Sequence, residues 1–189
     1  MAETVTETKR RGRLWAGLVV VATLVLGVGT YWFQPWRLWQ DATIREALPM
    51  TSRQAAEPGS ASSAVPPGAQ AGPQVLARGT LISHEHTTTG TVELIRLPDG
   101  SRTLRLEDLD TSNGPDLRVW LTDAQVKEGV AGWSVFDDGK HVSLGRLKGN
   151  KGDQNYAIPA DLNLADYRSV TIWCDRFDVS FGAATLTTA

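Results

Sequence analysis

VTIWCDRFDVSFGAATL, residues 170–186, decides how this chain folds, because its apolar positions change phase part-way along. Val170, Ile172 and Cys174 fall on one face of a strand, while Phe177, Val179 and Phe181 make a second apolar set one position out of step. Side chains alternate between faces along a strand, so one regular strand cannot bury both sets. A bulge or tight turn at Asp175–Arg176 is expected between them. That leaves Cys174 pointing inward near the end of its strand, close to solvent without lying fully in it. Cys174 is also the only cysteine in the chain, so no intrachain disulfide is open to it.

The same period of two recurs upstream. In LRVWLT, Leu117, Val119 and Leu121 alternate with Arg118, Trp120 and Thr122, and in TVELIRLPDGSRTLRLEDL two alternating runs flank Asp99–Gly100, a tight-hairpin signal. Asp138–Gly139 is a second pair of that kind. Helical patterning is nearly absent here, apart from a turn in PADLNLADY (159–167). Short strands separated by Gly, Pro, Asn and Asp clusters predict an all-β, antiparallel sandwich or barrel-like domain over 75–189.

The N-terminal part reads differently. LWAGLVVVATLVLGVGTYWF, 14–33, is twenty residues without a charge. As a helix it covers about 30 Å, the hydrocarbon thickness of a bilayer. Lys9, Arg10, Arg11 and Arg13 precede it, and Trp15, Trp32, Trp36 and Trp39 lie where rings favour an interface. No small-x-small cleavage site follows the apolar run directly, so a retained single-pass transmembrane helix is expected. Residues 1–13 are then a basic cytoplasmic tail, and the C-terminal domain lies on the extracytoplasmic side of the plasma membrane. Residues 34–50 read as a juxtamembrane segment, with a short helix capped by Asp41 and carrying Ile44 and Leu48 on one side. Residues 51–74, rich in Pro, Ala, Gly and Ser, are expected to be a disordered linker. Residues 74–189 carry 12 Lys or Arg against 16 Asp or Glu, a charge of −4 that argues against a nucleic-acid partner.

Candidate chemistry is sparse. An unpaired thiol in an oxidising compartment is open to oxidation, yet a lone cysteine also serves as a small core residue. His84 and His86 in LISHEHTTTG share one face if the segment is a strand, which suits a metal or a cofactor beside a thiolate, or a solvated strand end. A blue-copper site is disfavoured, since neither histidine nor methionine follows Cys174. LEDLDTSNGPD (106–116) lacks the calcium-loop arrangement, and GWSVF (132–136) lacks the last glycine of a nucleophile elbow. No catalytic triad or carboxylate pair is visible, so an enzyme is the weakest class. Trp120 and Trp173 sit opposite the inward sets, either as stacking platforms for a ligand or as a second packed face.

Three stretches together carry a resemblance: LEDLDTSNGPDLRVWL (106–121), LGRLKGNKGDQNYAIP (144–159) and VTIWCDRFDVSFGAATL (170–186). With Gly-Pro-Asp, Leu-Lys-Gly-Asn, Gln-Asn-Tyr-x-x-Pro and Trp-Cys-x-x-Phe-x-x-x-Phe-Gly-x-Ala, the chain resembles the DM-thirteen, electron-transfer DM-thirteen, family, in its membrane-anchored bacterial type. The resemblance implies a β-rich extracytoplasmic domain that moves electrons through its cysteine. It places that signature cysteine on Cys174 and a histidine best on His86, with His84 as the rival. The expected function is a membrane-tethered redox module, with Cys174 cycling between thiolate and a sulfenate or a mixed disulfide with a partner protein's thiol, or holding haem or a metal beside His86. Its expected partners are the lipid bilayer and a redox protein. The alternative is a non-catalytic binding or envelope-interaction domain, in which Cys174 is structural and Trp120, Trp173 and KGNKGDQNY (148–156) form a ligand surface.

Overall fold

The computed structural model describes residues 3–33, 40–49 and 72–189, with the side chains of 3–14, 16 and 33 excepted. Residues 51–71 of the expected linker, residues 34–39 with Trp36 and Trp39, and Met50 lie outside the described residues. The chain divides into two compact units, between Trp39 and Gln40.

The first unit is helix α1, Glu3–Phe33, which begins well ahead of the expected start at Leu14. Among the described residues no helix is long and apolar enough to cross a membrane. Described side chains of the helix run unbroken only over 17–32. There Leu18, Val19, Val20 and Val21, which point in successive directions around the helix, are 61, 61, 59 and 58 % exposed. Over 18–21 the helix therefore presents apolar side chains in successive directions around its axis.

The second unit, Gln40–Ala189, is a β-sandwich. Its strands are β1 (Thr43–Arg45), β2 (Gln74–Thr80), β3 (Ile82–Ser83), β4 (Thr89–Arg96), β5 (Arg102–Asp110), β6 (Leu117–Thr122), β7 (His141–Arg146), β8 (Lys151–Ile158), β9 (Ser169–Cys174), β10 (Val179–Thr185) and β11 (Thr187–Thr188). One sheet runs β1-β8-β5-β4-β2-β11 and the other β3-β10-β9-β6-β7, so the architecture is two open sheets and not a closed barrel. Every pairing is antiparallel except β1 with β8.

The core lies between the sheets. Val92, Leu94, Leu104, Leu106 and Tyr156 from the first sheet meet Val119, Leu121, Val170, Ile172, Cys174 and Phe181 from the second. This is the period-two set read from the sequence, and the Asp99–Gly100 hairpin is also present. There Gly100 adopts φ 84°, its N–H donates to Leu97, and the Asp99 carboxylate accepts from the Ser101 N–H and hydroxyl. The second expected hairpin is corrected: Asp138–Gly139 does not join adjacent strands directly. β6 and β7 pair, but the chain leaves the sheet between Thr122 and His141 and folds over its outer face. Phe136 on that excursion packs with Trp120, Trp173 and Ala183 in a separate small core, so the second sheet is buried on both faces.

The juxtamembrane helix is corrected too. Residues 43–45 form a strand of the sandwich, because the loop before β8 and its first residues satisfy their backbone. The Asn150 side chain accepts from Ala42 N–H at 2.7 Å, and Glu46 N–H donates to the Asp153 carbonyl at 3.0 Å. Chain pairing of this kind outweighs the i, i+4 placement of Ile44 and Leu48. The folded unit therefore starts at Gln40, well upstream of the expected boundary.

Candidate functional site around Cys174

The phase change in 170–186 resolves as a hairpin turn. β9 ends at Cys174, residues 175–178 turn, and Val179 opens β10 directly across from Cys174. Phe177 N–H donates to the Cys174 carbonyl at 3.2 Å, and Asp178 takes φ 51° to close the turn. Val179 thus shares the inner face with Cys174. Phe181 follows it into the core by simple alternation, and a bulge between Ser180 and Gly182 then shifts the phase, so that Ala183 faces the outer cluster and Ala184 the core. Phe177, expected with the inward set, is instead 59 % exposed, because it occupies the turn.

Cys174 points inward, as expected, between Val179 on β10 and Leu117 on β6. It is not near solvent: its exposure is 0 %, although residues 175–178 immediately after it are exposed. Asp175 N–H donates to the Asp116 carbonyl at 3.0 Å and pins the strand end. Arg118 reaches the Asp175 carboxylate at 3.2 Å as an ion pair, without hydrogen-bond geometry. Thiol–disulfide exchange requires contact between sulfurs. The closed turn withholds that contact.

Trp173, one residue earlier, projects to the opposite face and is also 0 % exposed. Its ring stacks on Trp120 with centroids 5.1 Å apart and meets Phe136 edge-on at 6.5 Å. Trp120 in turn stacks on His141, at 4.4 Å and 9° between planes. His141 is exposed, so a row of rings leads from the neighbour of Cys174 to the surface. The indole N–H groups of Trp120, Trp133 and Trp173 are buried and find no acceptor among the described residues. A buried donor left unpaired forgoes about 1–3 kcal/mol. These indoles are therefore not held for their hydrogen bonds.

The two expected histidines part company. β3 is only two residues long, and His84 and His86 follow it in a bend instead of sharing a strand face. His84 is buried beneath the excursion and stacks on Phe136 at 5.6 Å. Its Nε2 lies 3.0 Å from the Lys127 carbonyl, which accepts only, so Nε2 carries the hydrogen. Nδ1 then accepts from the Ser180 hydroxyl at 2.7 Å, and Thr171 lies 2.8 Å beyond Ser180. Burial holds the His84 pKa below its ordinary value, against the opposing pull of the Lys127 carbonyl. With both ring nitrogens committed and the hydroxyls sealed, this Ser–His contact positions the excursion and reaches no substrate. Cys174 lies on the other face of the same sheet, so the structure does not bring His84 to the thiol. His86 is half-buried, tilts over Phe181 with centroids 3.9 Å apart, and meets Glu85 at 3.6 Å. It lies at the rim of the inter-sheet core.

Cys174 and His84 offer no open ligand atom to a metal or haem. His84 has no free nitrogen, the thiol is enclosed by core side chains, and no group of three His, Cys, Asp or Glu among the described residues could hold a metal ion. Two surface hollows, one over Leu94 and Tyr167 and one over Thr103 and Asn155, are lined by neither Cys174 nor a histidine. GWSVF proves to be part of the excursion, where Gly132 makes room for the Lys127 carbonyl and the His84 ring. LEDLDTSNGPD ends β5 at Asp110 and runs through an irregular stretch to a turn at Pro115–Asp116, which shares only Pro115 with the turn expected at Asn113–Gly114–Pro115.

Of KGNKGDQNY, residues 148–150 form a loop and 151–156 open β8, and buried hydrogen bonds build its inner side. The Gln154 amide, fully buried, donates to the Gly149 carbonyl at 2.7 Å and accepts from the Tyr156 hydroxyl at 2.7 Å and from Lys148 N–H at 3.1 Å. Burial pushes the Tyr156 pKa up to about 12, which keeps its proton for that bond. His141 is the site residue that sequence reasoning missed. Its one signal is position: it opens a strand opposite Thr122, two residues from Trp120.

No curated protein and no solved structure matches the chain. A protein-family model does match, described as Electron transfer DM13, over residues 80–186, from the last residue of β2 to the residue after β10. That span includes Cys174, the ring row and the KGNKGDQNY stretch but omits β1. Covering more than half of the sequence, it shows that the chain belongs to the Electron transfer DM13 family.

Proposed function

We propose that this chain is a membrane-tethered, extracytoplasmic electron-transfer module in which Cys174 is the redox group. The sealed thiol exchanges electrons through the aromatic row and not by sulfur–sulfur contact. One-electron oxidation converts the thiol to a neutral thiyl. The electron passes along Trp173 and Trp120 to a one-electron acceptor protein over His141, and the proton is lost to water when the exposed 175–178 turn opens beside Cys174. A donor protein reverses both transfers. The observation that carries this reading is that row of rings, which starts beside the family's cysteine and ends at an exposed imidazole. The unpartnered indole N–H groups support it further, because phenylalanine would supply a ring without that cost. Tethering is supported by the uncharged run 14–33, its basic flank, and the apolar side chains exposed in successive directions around α1 over 18–21.

The test is voltammetry of the full chain in detergent on an electrode. A reversible wave is expected, lost in Cys174→Ala and slowed in Trp120→Leu, with both variants melting cooperatively. A folded wild-type chain without a wave overturns the reading. The second reading, a binding domain with a structural cysteine, is favoured by the 0 % exposure of Cys174. It predicts that absence.

A further inference from the structure

Strand β1 is attached to the sandwich in an unusual way. None of residues 40–49 joins the inter-sheet core, so the domain's interior closes without them. Their contacts instead resemble those of a bound peptide. At Gly149 an added Cβ would collide with the Ala42 carbonyl oxygen, and at Gly152, where φ is +89°, with that of Ile44. Glycine at both positions is what lets the incoming backbone approach. Asn150 reads the strand twice: its Oδ1 accepts from Ala42 N–H at 2.7 Å while its Nδ2 donates to the Asp41 carboxylate at 2.8 Å. Lys151 meets the same carboxylate at 3.1 Å. Five residues on, Glu46 takes Lys148 at 2.7 Å and the Asn155 N–H at 2.8 Å, and the Asn155 side chain donates to the Ala47 carbonyl at 2.8 Å. Arg105 closes the far end through the Glu46 carbonyl at 3.0 Å.

We infer that the β8 edge is a receptor site for an extended peptide with acidic residues five apart, that residues 40–49 are its cis ligand, and that it takes the same segment from a second copy of the chain when its own is displaced. Shape selects at the two glycines, and charge selects at Asp41 and Glu46. Main-chain pairing supplies the remainder, as in other strand-addition sites. Residues 50–73 link the ligand to its receptor, and a connection of that length gives the cis strand an effective concentration on the order of millimolar. The site is therefore closed in the resting chain and opens when the cis strand is weakened.

The test uses the full chain in detergent and a fluorescent synthetic peptide of residues 40–49. A variant with Asp41→Lys and Glu46→Lys empties the site by charge repulsion. It should bind the peptide saturably, at least tenfold tighter than wild type does. A peptide carrying Glu46→Lys should bind at least tenfold more weakly, and adding Gly152→Val to the emptied chain should abolish binding. Failure of the emptied chain to bind while it melts cooperatively overturns the inference, as does equal binding of the charge-reversed peptide. If the emptied chain does not fold, disulfide capture decides. A peptide with Thr43→Cys should be trapped by a Lys151→Cys chain, its register partner, and not by Asp153→Cys; equal trapping at both positions, or none, overturns the receptor.

Discussion

On the inner face of the five-stranded sheet, Val119, Ile172 and Cys174 meet the other sheet with no hydrogen-bonding group except a thiol. On the outer face Trp120, Thr171 and Trp173 meet an excursion of the chain through stacked rings and a hydroxyl–imidazole chain. Both faces are closed to water. β9 is buried at all six positions. The inner face is a packing surface that tolerates any apolar side chain of suitable size, whereas the outer face fixes particular atoms at particular distances. Atom-specific contacts therefore gather on the face that the alternation of apolar residues points away from the inter-sheet core.

The largest test of that contrast is Trp173→Ala. It removes a fully buried ring that touches both Trp120 and Phe136, and should cost about 3–5 kcal/mol in denaturant unfolding. A loss near zero would mean that the excursion does not hold the outer face. On the inner face Cys174→Ala should cost only about 1–2 kcal/mol. Cys174→Ser should be worse than alanine, since its hydroxyl enters a face without partners, at about 1–3 kcal/mol for an unpaired polar group. Serine tolerated as well as alanine would place a hidden acceptor or water beside position 174.

A smaller effect separates the faces by pH. The His84 pKa lies below its ordinary 6.5, so the folded chain binds fewer protons than the unfolded one in that window. Stability should be full above 6.5 and fall with pH until the depressed pKa is passed, where the decline ends. Melting temperature across this range should flatten in His84→Gln, whereas Cys174→Ala should leave its slope unchanged. Trp120→Phe leaves space where the second ring stood but loses no indole hydrogen bond, so it should cost less than Trp173→Ala. The same substitution should still slow electron exchange at the electrode if the row carries it.

Much of the inner face was legible in the sequence. Leu117, Val119 and Leu121, and Val170, Ile172 and Cys174, show a period of two, and Asp99–Gly100 marks its own turn. The outer face was only half legible: Trp120 and Trp173 stand out, but what covers them does not. The 123–140 stretch has no apolar period, and its anchors, Phe136 and the Lys127 carbonyl on His84, are single contacts fixed by tertiary structure. Exposure of Cys174 could not be read either, since one turn residue separates burial from solvent. β1 misled because three residues carry little pattern, and their strand state comes from a partner edge that lies more than a hundred positions later.

Because β1 is bound to β8 and not merely tied to it by residues 50–73, the polypeptide is fastened twice between Pro49 and Gln74. A protease that nicks this Ala-, Pro- and Ser-rich connection would sever the backbone without freeing the larger fragment. The pieces should travel together on a native gel and separate only in hot detergent.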